Sequence, residues 1–463
     1  MNILIKLLAS LAIFALVCTA GETPDSAGMS LTDAVNYALD HSPELQSASM
    51  EITRREGLTT IVRSSRFPQL DLAADAARSR FERGYPPGTP PAQLRFDNTL
   101  YTAVADLRFL AWDFHKTEME ISAARERVNS ARSSVDRRRQ EIVFETARLF
   151  LQSMTYTDLI RSAEARIASL HALLDRTNKL VNAGRAVPVD SLKIRTRLAQ
   201  LESDLATLRS GHRSSLSALA AVIAYDGDLP KLRYSPVVSE LPARETSELG
   251  LLADAVASRP DLRSQDHEIH AGELAVAAVR KAAWPRIDLR ASAIQYGSNT
   301  PVGFPQLIGG ILPSLAIQAP TPGRAVTDWV LGAHLSFSLF DGNRRKGQVQ
   351  EAEANLAQLR LARRQLELRI SREVRTALAD LASAQSRVAA LRDSVAESER
   401  VLHDERLKFE VGRSVINFVL DAESALLSSQ SLLSQAQRSL SLAELTLDLS
   451  LGRIQAQQMP IRR

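Results

Sequence analysis

The sequence predicts a mainly helical chain with a smaller β-barrel part, built as a tandem duplication. Three observations carry this reading. Long proline-free stretches repeat apolar residues every seven positions. Four shorter segments alternate apolar and polar residues, and both features recur at fixed offsets. Composition agrees, because aromatics make up 5% of the chain while Ala, Leu, Ser, Arg, Glu and Gln dominate. That balance is typical of long helices and coiled coils. A net charge of +4, spread without long runs of one sign, offers no footprint for a nucleic-acid partner.

The N-terminal stretch MNILIKLLASLAIFALVCTAGETPDS reads as a secretory signal peptide over residues 1–20, cut before Gly21. Cys18 is the only cysteine, and Val17 before it argues against lipidation. Cleavage after Ala20 leaves a mature chain without a thiol, which excludes disulfides and thiolate metal sites.

The duplication is visible in paired motifs. AVNYALDHSPEL resembles LLADAVASRPDL, and RFPQLDLAA resembles AWPRIDLRA. Pro43 and Pro260, like Pro68 and Pro285, lie 217 apart (260 − 43 and 285 − 68). Asp113 and Asp341, like Gly184 and Gly412, lie 228 apart (341 − 113 and 412 − 184), so one insertion of eleven residues (228 − 217) separates the two registers. The expected organisation is a first repeat over 21–229, a linker over 230–247, a second repeat over 248–455 and a tail over 456–463.

Each repeat opens on a helix and continues into two strands, expected near 68–80 and 99–112, then near 285–296 and 328–340. Leu70, Leu72, Ala74 and Ala76 share one parity, as do Ile287, Leu289, Ala291 and Ala293. Tyr101, Leu107 and Phe109 face one way in the second strand, and Trp329, Leu331, Leu335 and Phe337 do so in the fourth. Period-two alternation gives one apolar and one polar face. Two matched hairpins of this length with aromatics near their ends suit a transmembrane barrel, which puts these seven residues against outer membrane lipid. The loops between strands, Glu82 to Asn98 and Gly297 to about Asp328, read as turns at a membrane surface. Gly309-Gly310 lacks the following Lys-Ser/Thr of a phosphate loop, so nucleotide binding is discarded.

The long helices follow. Between Asp341 and Gly412 there is no proline, and Val374, Leu381, Val388, Val395, Leu402 and Phe409 recur at sevens. Ile160, Ile167, Leu174 and Val181 form a matching row in the first repeat. A helix of this length spans roughly 105 Å at 1.5 Å per residue. A seven-residue seam predicts supercoiled packing against neighbouring helices. Each rod ends at a Gly-Arg step, Gly184-Arg185 and then Val411-Gly412-Arg413, where glycine accepts the positive φ of a reversal. Pro188 marks the helix restart in the first repeat. These steps are hairpin tips.

No catalytic constellation emerges, and no cofactor is expected. Asp266, His267, Glu268 and His270 come nearest, but HEIH is one residue short of the metalloprotease HExxH, so the stretch reads as a solvated or lumen-facing helix. The other histidines are scattered and the methionines do not cluster, which gives no support to copper or silver binding.

This order of elements, with P-x-[IL]-D-L at the strand starts and V-G-R-x-x-x-x-x-[VL]-L at the tip, resembles the TolC family of outer membrane factors of Gram-negative bacteria. The resemblance covers about Leu31 to Gly452. It implies a homotrimer in which each chain gives four strands to one shared twelve-strand transmembrane β-barrel and its long helices to a periplasmic α-barrel. It further implies an exit duct for tripartite efflux or type I secretion, opened by a periplasmic adaptor and an inner-membrane transporter that meet the tips. By the same resemblance, Asp190, Phe418 and Asp421 line the tunnel constriction. The tyrosine and arginine clasps of some relatives fall on Phe409 and Ser414, which have lost the polar groups needed. An alternative from another class is a structural periplasmic coiled-coil protein or adaptor without channel activity. It explains the rods but leaves the matched amphipathic strand pairs without a purpose.

Overall fold

The computed structural model describes residues 28–82, 95–184, 187–227, 229, 232, 247–298, 326–411 and 413–454. The expected signal peptide, most of the linker and of both strand loops, and the tail lie outside these residues.

The described elements run α1 (Leu31–His41), α2 (Pro43–Ser64), β1 (Gln69–Glu82), β2 (Arg95–Trp112), α3 (Lys116–Asn182) and α4 (Pro188–Ile223). A second series follows as α5 (Glu248–Ser258), α6 (Pro260–Lys281), β3 (Arg286–Ser298), β4 (Val326–Ser336), α7 (Arg344–Glu410) and α8 (Ile416–Ser450). The two series match in length: α1 and α5 have 11 residues, α2 and α6 have 22, and α3 and α7 have 67.

Local sequence sets the boundaries. Ser30 and Asp33 close a capping box on α1, and Pro188 and Pro260 open α4 and α6 at the position where a missing N–H costs nothing. Asp113 accepts the Thr117 N–H at 2.8 Å at the start of α3, and Asp341 accepts the Arg345 N–H at 3.2 Å at the equivalent point of α7.

The chain divides into two compact units. One comprises Ser47–Arg137 and Arg259–Arg369 and contains the sheet; the other comprises Met1–Gln46, Arg138–Ser258 and Ile370–Arg463 and contains both tips.

The sheet is antiparallel with strand order β1-β2-β3-β4. Its register lines up whole rows: Leu70 pairs with Leu107, Leu107 with Ala291, and Ala291 with Leu331. The next row on that face is Leu72, Ala105, Ala293 and Trp329. The opposite face carries Asp71, Asp106 and Ser292 in one row and Gln69, Arg108 and Arg290 in another. Paired residues share a face, so one side is mainly apolar, while the other mixes these polar rows with Val104, Ile294 and Val330.

Two strand limits differ from expectation. β2 begins at Arg95 because it pairs with β1 as far as Glu82. β4 ends at Ser336, so Phe337 lies beyond the strand rather than within it. Ser336 pairs with Arg286, the first residue of β3, and Pro285 before it has no N–H to extend the ladder.

Burial along the rods also differs from the expected rows. On α7 the expected row is buried at Val374, Val388 and Leu402 and half-buried at Leu381, Val395 and Phe409. On α3 the buried row is instead Ile121, Val128, Val135, Ile142, Leu149, Ala163, Leu170 and Thr177, while Ile160, Ile167, Leu174 and Val181 are only half-buried.

Candidate functional site

Both rods end in reversals within the tip unit. Gly184 adopts φ +74°, its N–H bonding to the Val181 carbonyl at 2.9 Å, and α4 restarts at Pro188. In the second tip the Arg413 N–H closes back on the Lys408 carbonyl at 2.8 Å. Arg185 and Gly412 lie outside the described residues. Val411, Val415 and Phe418 are 69%, 57% and 58% exposed, and Val187, Val189 and Leu192 answer them on the first tip at 59%, 52% and 57%. Each reversal therefore presents bare aliphatic surface, to which Phe418 adds an aromatic ring on the second tip.

Behind that surface the hairpins are fused by one apolar cluster. Leu170 of α3, Ile194, Leu198 and Leu201 of α4, Leu402 of α7, and Ile416, Val419, Ala422 and Leu426 of α8 form it. Phe409 packs against this cluster. Ser414 donates to Glu405 at 2.8 Å inside its own hairpin, so it keeps a polar link of a local kind. Lys408 and Ser414 together hold the Glu405 carboxyl below the usual carboxylate range.

A charged group sits inside the cluster. Glu423 is 3% exposed and is met by Arg406 at 2.7 Å and Arg166 at 3.5 Å. Arg406 also donates to Ser169 at 3.1 Å, and Arg197 donates to Ser424 at 2.5 Å. The Glu423 contacts thus join α3, α7 and α8, and the Arg197–Ser424 bond beside them ties in α4. Burial lowers the pKa of Arg166, and the positive charges of Arg406 and Arg197 act in the same direction against the pull of Glu423. Sequence reading missed Glu423. The signal was present: it falls in the three-four spacing of Ile416, Val419 and Leu426, where an apolar residue belongs.

Phe418 and Asp421 lie one helical turn apart on α8, both exposed, so they share a face. Asp190 is half-buried in the first turn of α4. Lys193 of α4 bonds Asn417 of α8 at 2.9 Å, which ties the two helices beside these residues.

In the sheet unit, Tyr101, Leu107, Trp329, Leu331 and Leu335 are 59%, 38%, 74%, 70% and 65% exposed, and Phe109 is half-buried. So much bare apolar surface on one sheet face needs an apolar surrounding. Among the described residues no helix is long and apolar enough to cross a membrane.

The family profile described as outer membrane efflux protein matches residues 34–224 and 251–453, one match per repeat. The chain belongs to that family. Among its relatives, the outer membrane efflux protein BepC of Brucella suis is 23% identical over 437 residues, 93% of this chain and 87% of BepC. The solvent efflux pump outer membrane protein SrpC of Pseudomonas putida is 24% identical over 88% of this chain and 81% of its own. The fold matches that of VceC from Vibrio cholerae, with a TM-score of 0.69 at 21% identity over 91% of this chain and 96% of that one.

As a member of the outer membrane efflux family, the protein is a TolC-like outer membrane channel that extends into the periplasm. The HEIH stretch of α6 is engaged in pairwise contacts: His267 meets Glu126 at 2.7 Å, Asp266 pairs with Arg363 at 2.5 Å, and Glu268 lies 3.9 Å from Arg55. These contacts join α6 to three neighbouring helices and gather no ligand set.

Proposed function

We propose that this chain is one of three identical subunits of an exit duct, the outer membrane stage of a tripartite efflux or type I secretion system. The observation that carries this is the sheet. Among the described residues its strand order leaves one long side of β1 and one of β4 without a partner strand, while one face is mainly apolar. Lipid offers nothing to satisfy those backbone groups, so only a closed barrel is stable there. Four strands are too few to close one, and three copies give the twelve of the family fold.

In this reading Tyr101, Leu107, Phe109, Trp329, Leu331, Leu335 and Phe337 face lipid. The aliphatic tips, with Gly184, Arg185, Val411, Gly412 and Arg413, receive the hairpin of a periplasmic adaptor that brings the inner-membrane transporter into line. Asp190, Phe418 and Asp421 ring the narrow end of the tunnel. The duct does no bond-making chemistry; the transporter supplies energy and selects cargo.

The test begins with chemical cross-linking of the full-length chain purified from outer membranes. A trimer ladder supports the duct, and a monomer at all cross-linker concentrations refutes the shared barrel. Gly412→Trp then separates assembly from docking. It should abolish export in an intact pump strain while trimers remain in the membrane; unchanged export removes the docking role of the tip.

A further inference from the structure

Within the sheet unit, the turns from strand to helix differ between the repeats in an informative way. Asp113, Phe114 and His115 correspond to Asp341, Gly342 and Asn343. The last two residues of each turn lie in the left-handed region: φ is +56° and +67° at Phe114 and His115, +64° and +68° at Gly342 and Asn343. Glycine and asparagine accept this conformation readily, whereas a bulky residue there is strained. The first repeat places two ring-bearing residues in a turn that the second makes with ordinary ones.

The rings show what the strain supports. Phe114 packs on Trp112 at 5.9 Å and on Trp284 at 5.0 Å between ring centroids, and His115 meets Trp112 edge-on at 5.3 Å. Trp112 pairs in register with Ile287, so the cluster continues the apolar face past the end of the sheet. Trp112 and Trp284 nevertheless remain 48% and 55% exposed. A cation stands over an aromatic ring at both helix-to-strand junctions: Arg63 lies 6.0 Å from the Phe67 centroid, and Lys281 lies 5.8 Å from that of Trp284. Beside them is a cavity of about 480 Å³ whose lining includes Lys116, Glu120, Lys281, Trp284, Arg286 and Phe337. Lys116 is spoken for by Glu120 at 3.5 Å, and Arg286 by Asp288 at 2.8 Å. Among the described residues Lys281 has no carboxylate partner.

We propose that this junction seats the head group of a phospholipid from the membrane leaflet facing the periplasm, with its phosphate at Lys281. Exposed tryptophan at the end of an apolar band, with a cation raised on its ring, matches the level where acyl chains give way to phosphates. The strained Phe114 backbone holds the aromatic wall of this seat. The seat rests on the lipid-facing assignment of the sheet and not on tip docking or export, so export assays leave it untouched.

The test uses the full-length chain with Trp284 as sole tryptophan (Trp112→Phe, Trp329→Phe), reconstituted in vesicles of phosphatidylethanolamine and phosphatidylglycerol. A head-group spin label should quench Trp284 more strongly than bromine deep in the acyl chains. Quenching by aqueous iodide alone, or by no probe, overturns the proposal, since Trp284 then faces water or another subunit. Native mass spectrometry of the otherwise unaltered chain counts retained phospholipid. Lys281→Gln should weaken retention roughly two- to fivefold. The double change Phe114→Gly, His115→Asn should lower retention without lowering the unfolding temperature, because the turn is then relaxed. Unchanged retention in both variants, or displacement of the lipid by inorganic phosphate, rules out a lipid seat.

Discussion

Arg406 and Glu423 form a 2.7 Å ion pair across the second hairpin with the carboxylate 3% exposed. Arg166 approaches the same carboxylate from α3, and its buried Nη2 has no hydrogen-bond partner among the described residues. An arrangement with two guanidinium groups on one buried acid depends on that acid. Replacing Glu423 by Ala strands Arg166 in an apolar cluster, which costs about 3–5 kcal/mol. Thermal unfolding of the purified variant should show a large loss, and a shift within experimental scatter would mean that the network contributes little to holding the hairpins together.

Asp421 is exposed one turn beyond Phe418, on the helix that also carries Glu423 inward. Three copies around a tunnel axis would form a ring of carboxylates, which selects cations. Single-channel recording in planar bilayers should find weaker cation preference and less block by multivalent cations in Asp421→Ala. Identical selectivity and block in that variant would remove Asp421 from the constriction.

Leu331 is 70% exposed and pairs with Ala291 on the apolar face, midway along β4. An arginine costs roughly 2–4 kcal/mol at mid-membrane depth and roughly 0–1 kcal/mol near an interface. Leu331→Arg should reduce the amount of chain recovered in outer membrane fractions more than Leu335→Arg at the strand end, while Gly332→Ser on the polar face should not reduce it. Equal recovery of Leu331→Arg and Gly332→Ser would refute the assignment of faces.

Burial, and secondarily the charge of Asp448 one turn away, raises the Glu444 carboxyl from about 4.5 to about 7. The folded chain therefore holds a proton that the unfolded chain has released between these values. Stability is fully present below about pH 4.5 and declines as pH rises through about 7. Glu444→Gln should raise the unfolding temperature at pH 8 and change it little at pH 5. A variant whose gain is the same at both pH values would show that charge on Glu444 is not the cause.

The fold class was legible because its two periodicities are unambiguous. Alternation at Trp329, Leu331, Ala333 and Leu335 admits only a strand, and seventy residues without proline admit only a rod. Less legible was the seam of α3. Thr146, Ser153 and Thr177 are 0% exposed, and their hydroxyls lack partners among the described residues. Buried hydroxyls look like surface in a sequence, so the eye follows the aliphatic row beside them. Glu423 was hidden for a related reason: its charge suggests solvent, and Arg166, which helps to bury it, stands on the other hairpin. The end of β4 depended on where its neighbour begins, which no property of Phe337 encodes.

The two open edges of the sheet also have a genetic consequence. In the proposed trimer, a subunit that cannot pair along β1 or β4 does not merely fail by itself; it occupies a place in a ring that must close. With three-fold closure and random mixing, a cell making equal amounts of sound and edge-defective chains would complete only about one barrel in eight from sound chains. Edge mutations should therefore be dominant, whereas mutations confined to the exposed tips should be diluted by sound neighbours.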